Sequence, residues 1–337
     1  MALSTQVDAQ NSAYYERAFG KKGEDLQREL SSIISNASTM SYGDLWTAYK
    51  TTDKRADGKV YDVYSNITKY NFGSNQCGNY TGEGSCYNRE HSIPKSWFND
   101  KSPMHNDVIH VIPSDGYING MRSNYKLAEV GNVSKQSRNG YSKLGTSKTP
   151  GISGTVFEPN DEYKGDLARI YFYMATRYKN SVGNWGGGVF SRSFPHMQKA
   201  SMDMFLKWHK QDPVSKKEID RNEAVHKSKQ KNRNPFVDYP YLVDLIFGGK
   251  TNEAFDPNYT SISNNKEANI TIFVDGPSVH IGNATLGAKI TVYDLTGRIL
   301  LQSQYTEEDQ ILTIDHKGMA IISITDNDQY FAKKISL

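Results

Sequence analysis

The character of the sequence changes near residue 270, and this change constrains the fold more than any other feature. Beyond it, short β-branched runs such as residues 290–295 alternate with turn residues, a pattern typical of a small β-sandwich. Before it, longer segments carry apolar residues at helical spacing, most clearly over residues 166–178. The sequence therefore predicts an α+β protein, with a mostly helical domain over residues 11–250, a linker over 251–268 and a β-sandwich over 269–337.

Local patterns divide the helical domain into several elements. Residues 11–35 predict an amphipathic helix with a break at residues 20–23. Residues 60–64 alternate between apolar and polar side chains and predict a strand. Residues 131–160 are rich in Gly, Ser, Lys and Pro, which predicts a mobile surface loop with positive charge. Residues 215–218 have the spacing of a capping box and predict the start of another helix.

Charge is distributed unevenly along the chain. Residues 266–337 contain 6 Lys+Arg and 9 Asp+Glu, a net charge of −3. The other residues contain 34 Lys+Arg and 28 Asp+Glu, a net charge of +6, and the whole chain therefore carries +3. A basic domain suits a polyanionic partner such as nucleic acid. The excess is greatest over residues 207–233, where nine Lys and Arg accompany four Asp and Glu. This segment predicts a surface that binds a phosphate backbone, although Lys-rich helix faces are often only solvated.

The composition is that of a protein with a polar surface and no membrane span. Mean hydropathy is −0.67, and no apolar run approaches the length needed to cross a bilayer. Residues 1–10 lack a basic start and an apolar stretch, so they are either the trimmed remnant of a signal peptide or a disordered natural start.

The two cysteines, Cys77 and Cys86, lie close together in a loop rich in Gly, Asn and Tyr. A metal site would require further soft ligands, which this loop lacks. The spacing therefore favours a local disulfide formed in an oxidising compartment, with two free thiols as the alternative.

The stretch over residues 86–124 holds side chains suited to hydrolytic chemistry. Glu90 and His91 are adjacent, and a polar segment ending at Asn124 follows a short apolar run. An imidazole has the intrinsic pKa of a general base near neutral pH. Carboxylate and amide oxygens suit Mg²⁺, which takes few protein ligands. Arg122 is suited to holding a phosphate through a forked pair of hydrogen bonds, although it is equally suited to a structural ion pair.

Other polar residues near this stretch have structural interpretations. Adjacent strand residues point to opposite faces, so a site containing both Glu90 and His91 requires a bulge or bend. His110 alternates with apolar neighbours, which predicts a buried structural role. His105 and Asp107 are also interpreted as structural.

Residues 88–98 (NREHSIPKSWF) resemble the signature of the bacterial endonuclease I family, and residues 107–124 resemble its second block. Similarity continues at residues 168–178 and 233–240, in the order of the family. The resemblance implies a nuclease domain built on a ββα-metal (His-Me finger) core.

The resemblance also implies roles for particular residues. His91 would be the general base, with Glu90 and Asn124 as Mg²⁺ ligands and with Mn²⁺ or Ca²⁺ as alternative metals. Glu90 has the alternative role of orienting a metal-bound water. Apart from the resemblance, two further arginines join Arg122 as expected contacts to substrate phosphate: Arg177 and Arg233. For Arg177, a structural salt bridge is the more common role.

Two segments of the predicted β-sandwich resemble the C-terminal sorting domain of the Bacteroidetes type IX secretion system. They are residues 292–298 (VYDLTGR) and the ending at residues 333–337. The resemblance implies that secretion machinery exports the protein across the outer membrane, followed by release or surface attachment. The alternative is a generic β accessory module.

These features lead to a functional hypothesis with one main competitor. The hypothesis is a secreted, monomeric, sequence-nonspecific endonuclease that hydrolyses DNA, with RNA as an alternative, and leaves 5′ phosphates. The competitor is a catalytically idle surface protein that captures extracellular nucleic acid through residues 207–233. A metalloprotease is a weaker option, since no His-Glu-x-x-His motif is present.

Overall fold

The computed structural model describes residues 13–257, 270–326 and 329–337. Its internal contacts divide the chain into two units, Met1–Pro257 and Asn258–Leu337. Each unit has its own cluster of buried apolar side chains. The first mixes helices and sheets and the second is built of strands, so the predicted α+β class is confirmed.

The segment predicted as a linker is only partly described. Residues 258–269 lie outside the described residues. Phe255, however, is buried in the first unit, and its N–H donates to the carbonyl of Lys21 at 2.8 Å. The chain therefore remains packed on the first unit beyond the predicted boundary at residue 250.

Helices frame the core of the first unit. The α-helices, in chain order, are α1 (Gly23–Ser35), α2 (Asp44–Thr52), α3 (Gly116–Arg122), α4 (Lys164–Arg177), α5 (Lys199–Gln211), α6 (Lys216–Lys227), α7 (Pro235–Asp238) and α8 (Leu242–Ile246). Short 3₁₀ helices occur at Glu16–Ala18, Lys95–Phe98, Met104–Asn106, Asp161–Tyr163 and Val182–Asn184.

Helix α4 lies at the centre of this unit, and all but one of its residues are buried. It agrees closely with the helix predicted over residues 166–178. The predicted capping box is also present, since Ser215 accepts from the Glu218 N–H at the start of α6. The predicted break before α1 is confirmed, because that helix begins only at Gly23, whose φ of 52° lies in the left-handed region.

A strand-strand-helix unit follows the disulfide loop. Strands β1 (Tyr87–His91) and β2 (Val111–Asp115) pair antiparallel, and α3 begins directly after β2. Asp115 caps α3 by accepting from the Ile118 N–H at 2.9 Å. The pairing is regular as far as His91, so the predicted bulge or bend within β1 is absent. The short apolar run before α3 begins with a turn at residues 108–110 and becomes a strand at Val111.

Two local predictions for this unit are wrong. The mobile loop predicted over residues 131–160 is wrong, because these residues form much of a four-stranded sheet with the strand order β3-β6-β5-β4. Most of β4 is exposed, so the sequence lacks the apolar alternation that normally indicates a strand. Val60 forms only an isolated bridge to Lys54, and no strand covers residues 60–64. The strands of the sheet are β3 (Lys126–Leu127), β4 (Val130–Gln136), β5 (Lys143–Ser147) and β6 (Thr155–Glu158).

The second unit consists of two antiparallel sheets that share one apolar core, as a sandwich requires. One sheet has the order β10-β9-β12-β13 and the other the order β11-β8-β7. The strands are β7 (Thr271–Asp275), β8 (Ser278–Gly282), β9 (Lys289–Asp294), β10 (Ile299–Gln304), β11 (Gln310–Thr313), β12 (Met319–Asp326) and β13 (Gln329–Ser336).

The turn between β9 and β10 explains several residues of the segment at 292–298. Asp294 accepts from the N–H groups of Thr296 and Arg298 at 2.8 and 3.1 Å, and Gly297 adopts a φ of 87°. Hydrogen bonds, first that from the Thr296 hydroxyl, lower the pKa of Asp294 to about 2. These residue types therefore have a structural role in a tight hairpin. No helix among the described residues is both long and apolar enough to cross a lipid bilayer.

Candidate active site

An open pocket of about 490 Å³ lies where β1, the end of α3 and the disulfide loop meet. Four of the residues predicted from the motif line it: Glu90, His91, Arg122 and Asn124. They converge because β1, β2 and α3 follow one another in a compact unit. Among the predicted phosphate contacts, Arg177 and Arg233 are not part of its lining.

His91 is the last residue of β1 and is 5% exposed. Its Nε2 lies 3.0 Å from the carbonyl oxygen of His105. Since a carbonyl only accepts, Nε2 carries the proton in this contact, and in a neutral ring the lone pair is then on Nδ1. Burial, followed by the charge of nearby His110, lowers the pKa of His91 to about 2. The ring is therefore neutral at physiological pH.

Glu90 is 2% exposed, and two side chains contact its Oε1 atom. Tyr64 donates to Oε1 at 2.9 Å, and Nη1 of Arg122 lies 3.4 Å from the same atom. Burial raises the pKa of Glu90, and the Arg122 charge and the Tyr64 hydrogen bond offset part of this rise. The contacts hold the carboxylate at the wall of the pocket.

Arg122 has a different position from the one predicted. Its side chain is 1% exposed and donates to the carbonyls of His91 and Ser92 at 3.2 and 2.5 Å. It thus binds the end of β1 and pairs with Glu90, which contradicts the interpretation of Arg122 as an open phosphate clamp. Burial opposes its charge, but Glu90 and neighbouring tyrosines outweigh this and raise the pKa of Arg122. The structure favours a positioning role.

Two asparagines of the α3 region have distinct environments. Asn119 donates to Oδ1 of Asn88 at 2.6 Å and so braces α3 against β1. Asn124 lies two residues beyond the end of α3, is exposed and lines the pocket. Helix α3 therefore ends before Asn124, and the Asn124 amide belongs to the segment that follows the helix.

Arg89 is a residue of the pocket that sequence reasoning missed. Its guanidinium carbon lies 3.4 Å from the ring centroid of Tyr42 and 4.5 Å from that of Trp46. Nη1 donates to the Tyr42 carbonyl at 2.7 Å. Arg89, Tyr42 and Trp46 all line the pocket, so a cation is held on an aromatic support beside His91. Its position directly before Glu90 and His91 was the sequence feature that could have identified it.

The other two expected phosphate contacts, Arg177 and Arg233, lie in buried ion pairs outside the pocket lining. Arg177 donates to Asp107 at 2.6 Å with both side chains buried. Arg233 is 2% exposed and is bound by Glu223 and Asp238 at 2.6 and 2.7 Å. Both arginines serve internal ion pairs, the role weighed for Arg177 from the sequence.

The basic segment over residues 207–233 is largely neutralised within the chain. Most of its cations form ion pairs with acidic side chains, both inside and outside the segment. The segment therefore lacks the row of free cations expected of a backbone-binding surface. The paired cations are Lys207, Lys216, Lys217, Arg221, Lys227, Lys229 and Arg233.

The expected disulfide is present. Cys77 and Cys86 are bonded, with their Cα atoms 5.6 Å apart. Cys77 and Gly78 reach the pocket, so the bond fixes the loop that borders it.

The donor set of the pocket fits a hard divalent cation with few protein ligands. The described residues contain no group of three or more His, Cys, Asp or Glu arranged to bind a metal. Glu90 and Asn124 instead offer one carboxylate and one amide at the same pocket. Such a set suits Mg²⁺, which retains several waters.

Comparison with known proteins identifies a family for this chain. The model of the family Endonuclease I matches residues 22–241. The extracellular ribonuclease of Bacillus subtilis (strain 168) is 34% identical over 251 residues, covering 71% of this chain and 80% of the relative.

Two further relatives match shorter regions. Endonuclease-1 of Buchnera aphidicola subsp. Acyrthosiphon pisum (strain APS) is 28% identical over 145 residues, 42% of this chain and 49% of the relative. The periplasmic deoxyribonuclease of Aeromonas hydrophila is 26% identical over 135 residues, 40% of this chain and 48% of the relative. With the family match over most of its length, the chain belongs to the endonuclease I family.

Proposed function

We propose that the protein is a secreted, metal-dependent endonuclease that hydrolyses phosphodiester bonds of DNA, with RNA as an alternative substrate. The observation that carries this proposal is the convergence of Glu90, His91 and Asn124 on one open pocket. Relatives named extracellular ribonuclease and periplasmic deoxyribonuclease support both export and a nucleic-acid substrate.

In the proposed mechanism, His91 is the general base. Its Nε2–H donates to the His105 carbonyl, which fixes the ring and leaves the Nδ1 lone pair for a proton from water. Burial keeps the imidazole neutral before reaction. The positive charge that it then gains is stabilised by the adjacent phosphate. The water attacks phosphorus opposite the 3′ oxygen, the bond between phosphorus and that oxygen breaks, and the 3′ oxygen takes a proton from solvent water. The products therefore carry 5′ phosphates and 3′ hydroxyls.

Glu90 and Asn124 are the proposed ligands of one Mg²⁺. The cation supplies charge neutralisation at the phosphoryl oxygens and the leaving oxygen. Tyr64 and Arg122 hold the Glu90 carboxylate in place from the buried side. These two contacts keep the deprotonated carboxylate turned toward the pocket.

Arg89 is the proposed phosphate contact. Its Nη1 is occupied by the Tyr42 carbonyl, but a guanidinium has five N–H donors. The support of Tyr42 and Trp46 fixes the plane of the group, so that little side-chain entropy is lost when a phosphate binds.

Arg89→Ala should raise KM for DNA by roughly 10- to 100-fold with a smaller change in kcat, as expected for one charge-assisted hydrogen bond. Steady-state kinetics on a labelled oligonucleotide measures both constants. Lys199→Ala is the control, because Lys199 is a cation with 82% side-chain exposure that does not line the pocket. An unchanged KM for Arg89→Ala would exclude this contact.

Metal removal separates hydrolysis from simple capture of nucleic acid. With a chelator, plasmid nicking should stop while a gel shift shows that DNA binding persists, and added Mg²⁺ should restore nicking. A protein that only captures DNA would bind without nicking under every condition. Nicking that is insensitive to the chelator would contradict the metal-dependent mechanism.

The second unit is the proposed export signal. Its sandwich architecture and the Asp294 turn support the resemblance to a type IX sorting domain. Appending residues 258–337 to a periplasmic reporter in a bacterium with that system should send the reporter outside the cell. Retention of the reporter in the periplasm would contradict this role.

A further inference from the structure

The segments that form the pocket also carry exposed aromatic rings that the mechanism does not use. Among the described residues, the tyrosines that are more than a third exposed are Tyr80 at 39%, Tyr117 at 45% and Tyr125 at 37%. Most other tyrosines of the first unit are buried in its core. Tyr80 belongs to the disulfide loop, Tyr117 to α3, and Tyr125 directly follows Asn124. The exposed rings are therefore all on segments that also form the pocket.

The Tyr80 ring lies in a groove on the surface of α3. A Cβ added at Gly120 would overlap the Tyr80 hydroxyl, and one added at Gly116 would lie 3.0 Å from the ring and 3.2 Å from the Cys77 sulfur. These glycines are one helical turn apart, so together they form a groove that receives the ring and the disulfide. The disulfide and the fit against these glycines hold the ring on α3, the helix whose Asn119 and Arg122 line the pocket.

Tyr80 and Tyr117 form an ordered pair. Their ring centroids are 6.1 Å apart, with the planes at 86°. This edge-to-face geometry stabilises the pair while more than a third of each residue stays exposed to solvent. Exposed, fixed aromatic faces are what proteins use to stack nucleobases without regard to sequence.

We propose that Tyr80 and Tyr117 form a stacking platform for unpaired bases of the strand whose phosphate occupies the pocket. The proposal rests on the nuclease function proposed above and makes single-stranded nucleic acid the preferred substrate. Bases within a duplex are already stacked on their neighbours, so their faces are not available to these rings. Bases of a single strand stack on the tyrosines and hold the adjoining backbone near His91.

The test compares two single-stranded substrates with the same backbone. One is an end-labelled 20-nucleotide oligo(dT), and the other has abasic sugars at every position. For the full chain, Tyr80→Ala/Tyr117→Ala should lower kcat/KM about tenfold on oligo(dT). On the abasic strand, kcat/KM of the same double variant should change by less than about twofold, because no base is present to stack. Tyr80→Phe/Tyr117→Phe retains both rings and should behave as the wild type on both.

Gly120→Ala provides an independent variant, since its methyl group displaces the Tyr80 ring while alanine favours the helix. It should lower oligo(dT) cleavage in the same direction with an unchanged melting temperature. Equal losses on both strands, or no loss on oligo(dT), would overturn the stacking platform. If the wild type nicked plasmid DNA but cleaved neither single strand, the platform would be overturned and the nuclease function would stand. If it cleaved none of the three, the proposed DNA hydrolysis would be overturned, and the platform with it.

Discussion

His91→Ala should lower kcat by about 10²- to 10⁴-fold, the usual contribution of a general base, while DNA binding changes little. The reason is that the imidazole contributes its lone pair only in the transition state, whereas Arg89 contacts the phosphate already in the bound ground state. Kinetics on a labelled oligonucleotide and a gel shift with Mg²⁺ measure the two effects. His226→Ala is a suitable control, because that histidine lies on α6 and does not line the pocket.

Rescue by added imidazole distinguishes a base from a structural residue. The substitution leaves a space beside the pocket, and free imidazole at millimolar concentration should restore part of the lost rate at pH 7.5. A structural histidine would give a loss that imidazole does not reverse. If His91→Ala retained near-wild-type cleavage, the proposed mechanism would be wrong.

Asp107→Ala should have the largest effect on stability. Its carboxylate accepts hydrogen bonds from Tyr173, Tyr178 and Gln230 and pairs with Arg177, all within 2.6–2.9 Å. Burial alone would raise the pKa of Asp107, but Arg177 and the hydrogen bonds outweigh it and lower that pKa. Removing the carboxylate leaves a buried guanidinium without its counter-charge, which costs about 3–5 kcal/mol of unfolding free energy.

Urea denaturation of Asp107→Ala measures this loss. Asp220→Ala is the matched control, because Asp220 pairs with Lys216 at a site where the two side chains are 61% and 84% exposed. Such surface pairs contribute about 0–1 kcal/mol. If the two variants were destabilised equally, the Asp107 cluster would not have the structural importance assigned to it.

The motif residues could be found from the sequence because local structure brings them together. Glu90 and His91 end one strand, and Asn124 follows the helix that begins directly after its partner strand. The antiparallel pairing of two neighbouring strands and the capping of the helix that follows can be predicted without knowing the rest of the fold. The β-rich runs of the second unit are equally local, since each strand lies next to a turn signal.

The roles of the arginines could not be found in this way. Arg177 is separated by 70 residues from Asp107, and nothing in the local pattern of either residue indicates the pairing. Arg122 and Glu90 meet only because α3 packs against β1. The exposed strand β4 was missed for a different reason, because its stability comes from backbone pairing with β5 and not from buried side chains.

In the proposed mechanism, one divalent cation and His91 act on the same phosphate. Anomalous diffraction from a crystal soaked in Mn²⁺ locates the cation. We expect a single strong peak in the pocket, within coordination distance of the Glu90 carboxylate and the Asn124 amide oxygen. A peak confined to another part of the molecule, in crystals of protein that Mn²⁺ activates in solution, would contradict it.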